Sequence, residues 1–177
     1  ALAVVYQVEK EPKLAESEVR KALSSRSGDA RILNNYAGFL FEQKRYQEAY
    51  DTYMKATEDG LYSERSRIFE NLGLVSLKLN NRAQAKEFFE KAIRLNRNST
   101  GALLELADLN YQDREYVPAR AFYEEYLKRG PQTARSLLLG IRLAKIYDDR
   151  DTAASYGLQL KRLYPASPEY QAYQADK

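Results

Sequence analysis

The sequence contains no cysteine, which excludes a disulfide, a thiolate nucleophile and a thiolate metal site within its 177 residues. Histidine is also absent, and with it the commonest general base and metal ligand. Only 8 glycines and 5 prolines interrupt a composition dominated by helix formers. The longest apolar run, ALAVVY at residues 1–6, is far short of a membrane-spanning helix. Neither sign of charge prevails. The 28 basic residues are interspersed with 25 acidic ones, and no block of Lys and Arg marks a nucleic-acid surface. No GxGxxG, phosphate loop or GxSxG occurs. Asp148, Asp149 and Asp151, in the stretch YDDRDT, lack the central glycine and closing glutamate of a calcium loop and read as solvated turn charges. The expectation is a protein without catalysis, with no cofactor, no nucleic acid and no small-molecule substrate.

What is present is a folded composition, 44% hydrophobic and 30% charged, organised as a repeat. Alanines stand at Ala15, Ala49, Ala85, Ala119 and Ala153, with spacings of 34, 36, 34 and 34 residues. Four residues after each come Val19, Tyr53, Phe89, Tyr123 and Gly157, and seven after come Ala22, Ala56, Ala92, Tyr126 and Leu160. Twelve before stand Ala3, Ala37, Gly73, Ala107 and Ile141. This pattern resembles the tetratricopeptide repeat (TPR), in which small residues let two antiparallel helices approach closely. Gly73 and Ala85 take that part in the third repeat, while Ala92 leaves room for the next one. The fifteen tyrosines are read as packing residues rather than a stacking surface for nucleic acid, because many, such as Tyr36, Tyr53 and Tyr123, fall in packing columns.

The reading is therefore an all-α, right-handed superhelical solenoid of antiparallel helix pairs, closed by a C-terminal capping helix. A single domain spans 1–177, with repeats at 1–29 (partial), 30–65, 66–99, 100–133 and 134–167, then the cap at 168–177. Turns are expected near Glu11, Arg45, Asn81, Glu115 and Asp149. The 36-residue spacing reflects a loop longer by two residues at Gly60–Arg65. Pro131 and Pro165 stop second helices, and Pro118 lies in a first turn, where its missing N–H costs little. Ser167 and Pro168 suit the start of the cap. The last repeat departs from the pattern at Gly140 and Ile141, so its packing is the weakest expectation.

Binding remains as the function. The first helix of each repeat tends to face a concave groove. The large or charged side chains there that the framework does not use are Phe41, Leu74, Leu77, Lys78, Leu104, Tyr111, Arg135, Arg142 and Lys145. An apolar strip with a basic end suits a protein partner. The alternative, that several of these side chains are buried between repeats, stays open at this point. A grip on a C-terminal carboxylate is not expected, because of the clamp positions Asn34, Gly38, Asn71, Gly101 and Glu105 only Asn71 has the required residue.

Four stretches carry a more specific resemblance: LNNYAGFLFEQKRYQEAY (33–50), LYSERSRIFENLGLVSLKL (61–79), EYVPARAFYE (115–124) and SLLLGIRLAKIYDDRDTAASYGLQLKRLYP (136–165). They are similar to the type IV pilus biogenesis pilotins of the PilF/PilW kind, small bacterial lipoproteins built mainly of TPRs. The resemblance implies a factor that binds the type IV pilus secretin and promotes its outer-membrane localisation and multimerisation. It also implies a site at the periplasmic face of the outer membrane, held by a lipidated N-terminal cysteine. This chain has no cysteine and begins without methionine or signal peptide, so the anchor and at least one further repeat are expected upstream of it. The other reading is a soluble TPR adaptor scaffolding a different complex.

Overall fold

The computed structural model describes residues 16, 17, 19–21 and 29–177. The expected turn near Glu11 and the column residues Ala3, Ala15 and Ala22 lie outside the described residues. Among those that are described, no strand occurs. Helical residues 16, 17 and 19–21 are followed by α1 (Ala30–Glu42), α2 (Tyr46–Ala56), α3 (Arg65–Lys78), α4 (Arg82–Leu95) and α5 (Thr100–Gln112). Then come α6 (Tyr116–Arg129), α7 (Ala134–Ile146), α8 (Arg150–Leu163) and α9 (Pro168–Ala175). The chain divides into two compact units, with the division between Ala102 and Leu103, inside α5.

The four turns within the helix pairs share one design. Lys44, Asn80, Arg114 and Asp148 each take a left-handed conformation, with φ between 55° and 62°. The next amide then reaches back five residues: Arg45 to Leu40, Asn81 to Ser76, Glu115 to Asn110 and Asp149 to Ala144, at 2.8–2.9 Å. A second bond runs from the left-handed residue itself, as from Lys44 to Phe41. This is the Schellman closure, which satisfies carbonyls that a helix end leaves open. Glycine usually fills the left-handed position, and here four ordinary or polar side chains do. The turns fall at the expected Arg45, Asn81, Glu115 and Asp149.

In the first unit α1 packs on α2, α2 on α3, and α3 most extensively on α4. Ala37, Ala49, Ala56, Ala85 and Ala92 are fully buried, as a column of close approach requires. Gly73 owes its identity to Phe89. A Cβ there would come within 3.0 Å of three atoms of that fully buried ring. The loop between α2 and α3 is longer than expected because α2 stops at Ala56, a turn earlier than the other second helices. The Thr57 hydroxyl donates to Met54 O at 2.6 Å, and Arg65 Nε donates to Thr57 O at 3.0 Å, so side chains take up two of the carbonyls at the early stop. Ser66 and Ser99, at opposite ends of one repeat, are buried and share a 2.7 Å hydrogen bond, while Ser66 also donates to Ala92 O.

The second unit accounts for the irregular last repeat. Large and small residues have exchanged places along α7: Ile141 is buried at 1% exposure, and Gly140 leaves the room instead. The Tyr123 hydroxyl and the Tyr156 ring fill it. Gly157 does the same for Tyr173 of α9. Tyr170 and Tyr173 thereby close over the core of Leu137, Ile141 and Leu160. Ser167 caps α9 through Tyr170 N at 3.0 Å, with Pro168 at the first position.

Two stability predictions follow from the first unit. Ala85→Leu should cost about 1–3 kcal/mol by overpacking. Ala83→Leu, on the exposed face of the same helix, should stay within about 0.5 kcal/mol. Equal shifts of the urea midpoint would show that the packing register is wrong. The second concerns Glu16, which accepts from Tyr36 OH at 3.1 Å, Arg20 at 2.8 Å and Arg45 at 3.2 Å. The Arg45 guanidinium, opposed by burial and aided by the Tyr36 hydroxyl, holds the Glu16 carboxyl below its ordinary value of 4.5. A lowered carboxylate contributes its full stability above the ordinary value and loses it as pH falls through the lowered one. Glu16→Gln should therefore lower the urea midpoint at pH 7 and narrow the gap between pH 7 and pH 3. Superimposable midpoint-versus-pH curves would remove Glu16 from the account.

Candidate protein-binding site

The candidate groove residues fall into two sets, one in each unit. In the first, α1 and α3 bound a cleft of about 440 Å³. Asn34, Asn35, Gly38, Phe41 and Glu42 line it from α1, Asn71 and Leu74 from α3, and Tyr53 from α2. Helix periodicity explains the gathering. Asn34, Gly38 and Phe41 lie four and three residues apart on α1, and Asn71 and Leu74 lie three apart on α3, so each set shares one face. Phe41 and Leu74 are half-buried, and the Phe41 ring stands edge-on to Tyr46 with centroids 5.3 Å apart. Asn71 Nδ2 donates to Asn34 Oδ1 at 3.3 Å, linking the two first helices. Tyr53 is 4% exposed, and burial pushes its hydroxyl up to about 12, so it stays protonated. Leu77 is half-buried and Lys78 exposed at the end of α3.

In the second unit the residues part company. Leu104 is only 8% exposed, because α5 is buried around most of its circumference: Leu103, Leu106 and Ala107 are buried as well. It offers a partner little surface. Tyr111 is half-buried beside Tyr116, with centroids 5.7 Å apart, and burial raises its hydroxyl. Arg135 is spent within the fold. It donates to Glu105 at 2.6 Å and to Asp108 at 3.0 Å, tying α7 to α5. Arg142 pairs with Asp176 at 3.4 Å, and Lys145 Nζ donates to Asp176 O at 3.5 Å while lying 5.9 Å from the centre of the Tyr173 ring. The basic end read from the sequence thus carries its own acids. Opposite charges about 30 residues apart on successive first helices, as in Glu105 and Arg135, were the available signal.

The aspartates of YDDRDT are accounted for by the turn. Asp148 is the left-handed residue and pairs with Arg150, and Asp149 caps α8 through Thr152 N at 3.1 Å. Among the described residues no group of three or more His, Cys, Asp or Glu side chains could hold a metal ion. No described helix is long and apolar enough to cross a membrane.

Family models of the tetratricopeptide repeat match residues 28–98 and 71–134. The chain is a tetratricopeptide-repeat protein of paired α-helices. Over all of its 177 residues it is 67% identical to the type IV pilus assembly protein PilF of Pseudomonas aeruginosa, covering 70% of that protein. It belongs to the PilF family. The solved structure of Pseudomonas aeruginosa PilF superposes with a TM-score of 0.94 at 66% identity, over 99% of this chain and 79% of that one. PilW, described as a widely conserved type IV pilus biogenesis factor, superposes with a TM-score of 0.80 at 28% identity, over 98% and 80%. The TPR protein YrrB, at 20% identity and a TM-score of 0.74, shares the fold.

Arg135 tests how far a groove cation serves the fold. Its side chain is 42% exposed, so solvent screens the pairs, and Arg135→Ala should cost about 1 kcal/mol. Adding Glu105→Ala should recover part of that loss, since the unpaired carboxylate goes too. Strictly additive losses in the double-mutant cycle would show that the pair contributes nothing.

Proposed function

We propose that the protein is a type IV pilus assembly factor that binds the pilus secretin and promotes its localisation and multimerisation in the outer membrane. One observation carries this reading: the 67% identity to the type IV pilus assembly protein PilF along the whole chain. The chemistry is consistent with it. A scaffold without His or Cys, with half-buried Phe41 and Leu74 lining a cleft between helices, is suited to holding a protein segment rather than transforming a substrate. The family also suggests the location, at the periplasmic face of the outer membrane through a lipid anchor outside this chain.

In each unit the contact would lie on the first helices. Phe41 and Leu77 in the first unit and Tyr111 in the second are half-buried and hold no place in the alanine columns. They serve as anchors, with Leu74 and Lys78 beside the first two. Arg142 and Lys145, screened by Asp176, tune association rate and salt dependence more than affinity. Arg135 and Leu104 contribute mainly through the fold.

The test is a pull-down of the full-length protein with detergent-solubilised outer-membrane proteins, read for the secretin. Phe41→Ala with Tyr111→Ala should weaken capture by about 2 kcal/mol or more and reduce assembled secretin in cells, while the melting curve moves little. Wild-type capture by a folded double mutant would move the contact to another surface. No capture by the wild type would end the secretin reading.

A further inference from the structure

The segment between α2 and α3, Thr57–Glu64, has eight residues, where the loops after α4, α6 and α8 have four each. Its length is not slack. The Leu61 amide donates to Asp59 Oδ1 at 3.1 Å, and the Tyr62 amide donates to Asp59 O at 3.3 Å. The Arg65 amide donates to Tyr62 O at 3.2 Å, and Arg65 Nε closes the loop onto Thr57 O at 3.0 Å. The same guanidinium lies 5.2 Å from the centre of the buried Phe69 ring, which ties this clasp to the core. Compact surface loops whose ends meet in this way are often functional.

The tip of the loop faces only solvent. Leu61 is 97% exposed, the highest value among the large apolar side chains described, and Val117 follows at 74%. A Cβ added to the neighbouring Gly60 would meet no atom within 4 Å. A single exposed leucine is ordinary on a protein surface. One held out by a clasped loop, clear of every neighbour, is placed for something outside the fold, and it loses little freedom when that something binds. Its setting narrows the choice. Glu58, Asp59 and Glu64 surround it, all exposed and none in an ion pair among the described residues. Arg65 is turned to the loop's own carbonyl and to Phe69, so it does not offset them at the tip. Carboxylates around an apolar point repel anionic headgroups and nucleic acid, and they attract Lys and Arg.

We propose that the Thr57–Glu64 loop is a contact to the assembly partner in its own right, with Leu61 entering an apolar pocket of that protein whose rim carries Lys or Arg facing Glu58 and Glu64. That the partner is the secretin rests on the reading above; the loop, its leucine and the basic rim do not.

Leu61→Ser tests this with the fold untouched, since so exposed a side chain has almost no contact to lose. The full-length protein is titrated against purified secretin, and each variant also replaces the wild-type gene in piliated cells. The expected result is an unchanged melting temperature, a loss of at least about tenfold in affinity and loss of pili at normal protein level. Glu58→Lys with Glu64→Gln should slow association and flatten its salt dependence, whereas Asp59 is left alone because it holds the Leu61 amide. A photo-crosslinking amino acid in place of Leu61 should join the secretin, in cells, at apolar residues flanked by Lys or Arg. Equal secretin affinity of Leu61→Ser removes the loop contact and leaves the secretin reading intact. If the wild type binds no secretin, that reading ends and the cells decide on the loop. Normal piliation with Leu61→Ser then overturns it, while lost piliation together with a cross-link to a basic-rimmed apolar segment of another protein supports it. A cross-link to lipid, to a second copy of the chain or to an acidic segment overturns it, as does no cross-link at all or an association rate indifferent to the charge variant.

Discussion

The close approach of paired helices at small residues is the constraint on which the rest of this structure depends. Two helices can lie near each other only if something at the crossing is small, and the volume so released must be filled by something large. Gly73 and Phe89 meet this condition in the first unit, as do Gly140 with Tyr156 and Gly157 with Tyr173 in the second. Interiors pack to crystal-like density, so neither partner can change alone. The same condition explains why an irregular repeat is still a good one. With Ile141 moved into the buried slot, Gly140 one residue earlier takes over the role of the small residue.

Polar groups follow the same economy. The left-handed turns take up carbonyls at the end of each first helix with backbone amides, so this closure asks nothing of the side chains at Lys44, Asn80, Arg114 and Asp148. Charges at the ends of the grooves behave otherwise. Arg135 is bound by Glu105 and Asp108, and Arg142 and Lys145 share Asp176, so the positive field there is largely cancelled locally. A partner of the second unit would meet a mixed, exchangeable polar surface. One at the α1–α3 cleft would meet amides, an aromatic ring and a single carboxylate.

Much of this was legible in the sequence because the alanine columns have a fixed period, and a period fixes which residues face each other. The turns at Arg45, Asn81, Glu115 and Asp149, the stops before Pro131 and Pro165 and the Ser167 cap all follow from local chemistry. Partnerships between sequence-distant side chains were harder to read. That Phe89 lies against Gly73, that Asp176 meets Arg142 and that Leu104 is buried depend on helix rotation and on the course of a terminal segment, which the period does not encode. The early stop of α2 was hidden for a related reason. It depends on a guanidinium, Arg65, arriving from the following helix to take a carbonyl.

The candidate site is hardest to read because it would consist of what the fold leaves unused. A framework glycine and a groove glycine are the same letter, and only the distance to the nearest neighbour separates Gly73 from Gly38. The distinction also has an energetic side. Small residues at the crossings stabilise the scaffold, whereas a glycine on an open helix face costs about 1 kcal/mol against alanine and brings no packing in return. Half-exposed aromatics such as Phe41 have a similar character, since each leaves apolar surface in water that burial would stabilise. Such local departures from the best-folded sequence gather along one face of α1, and an interaction that completes the burial would offset them together.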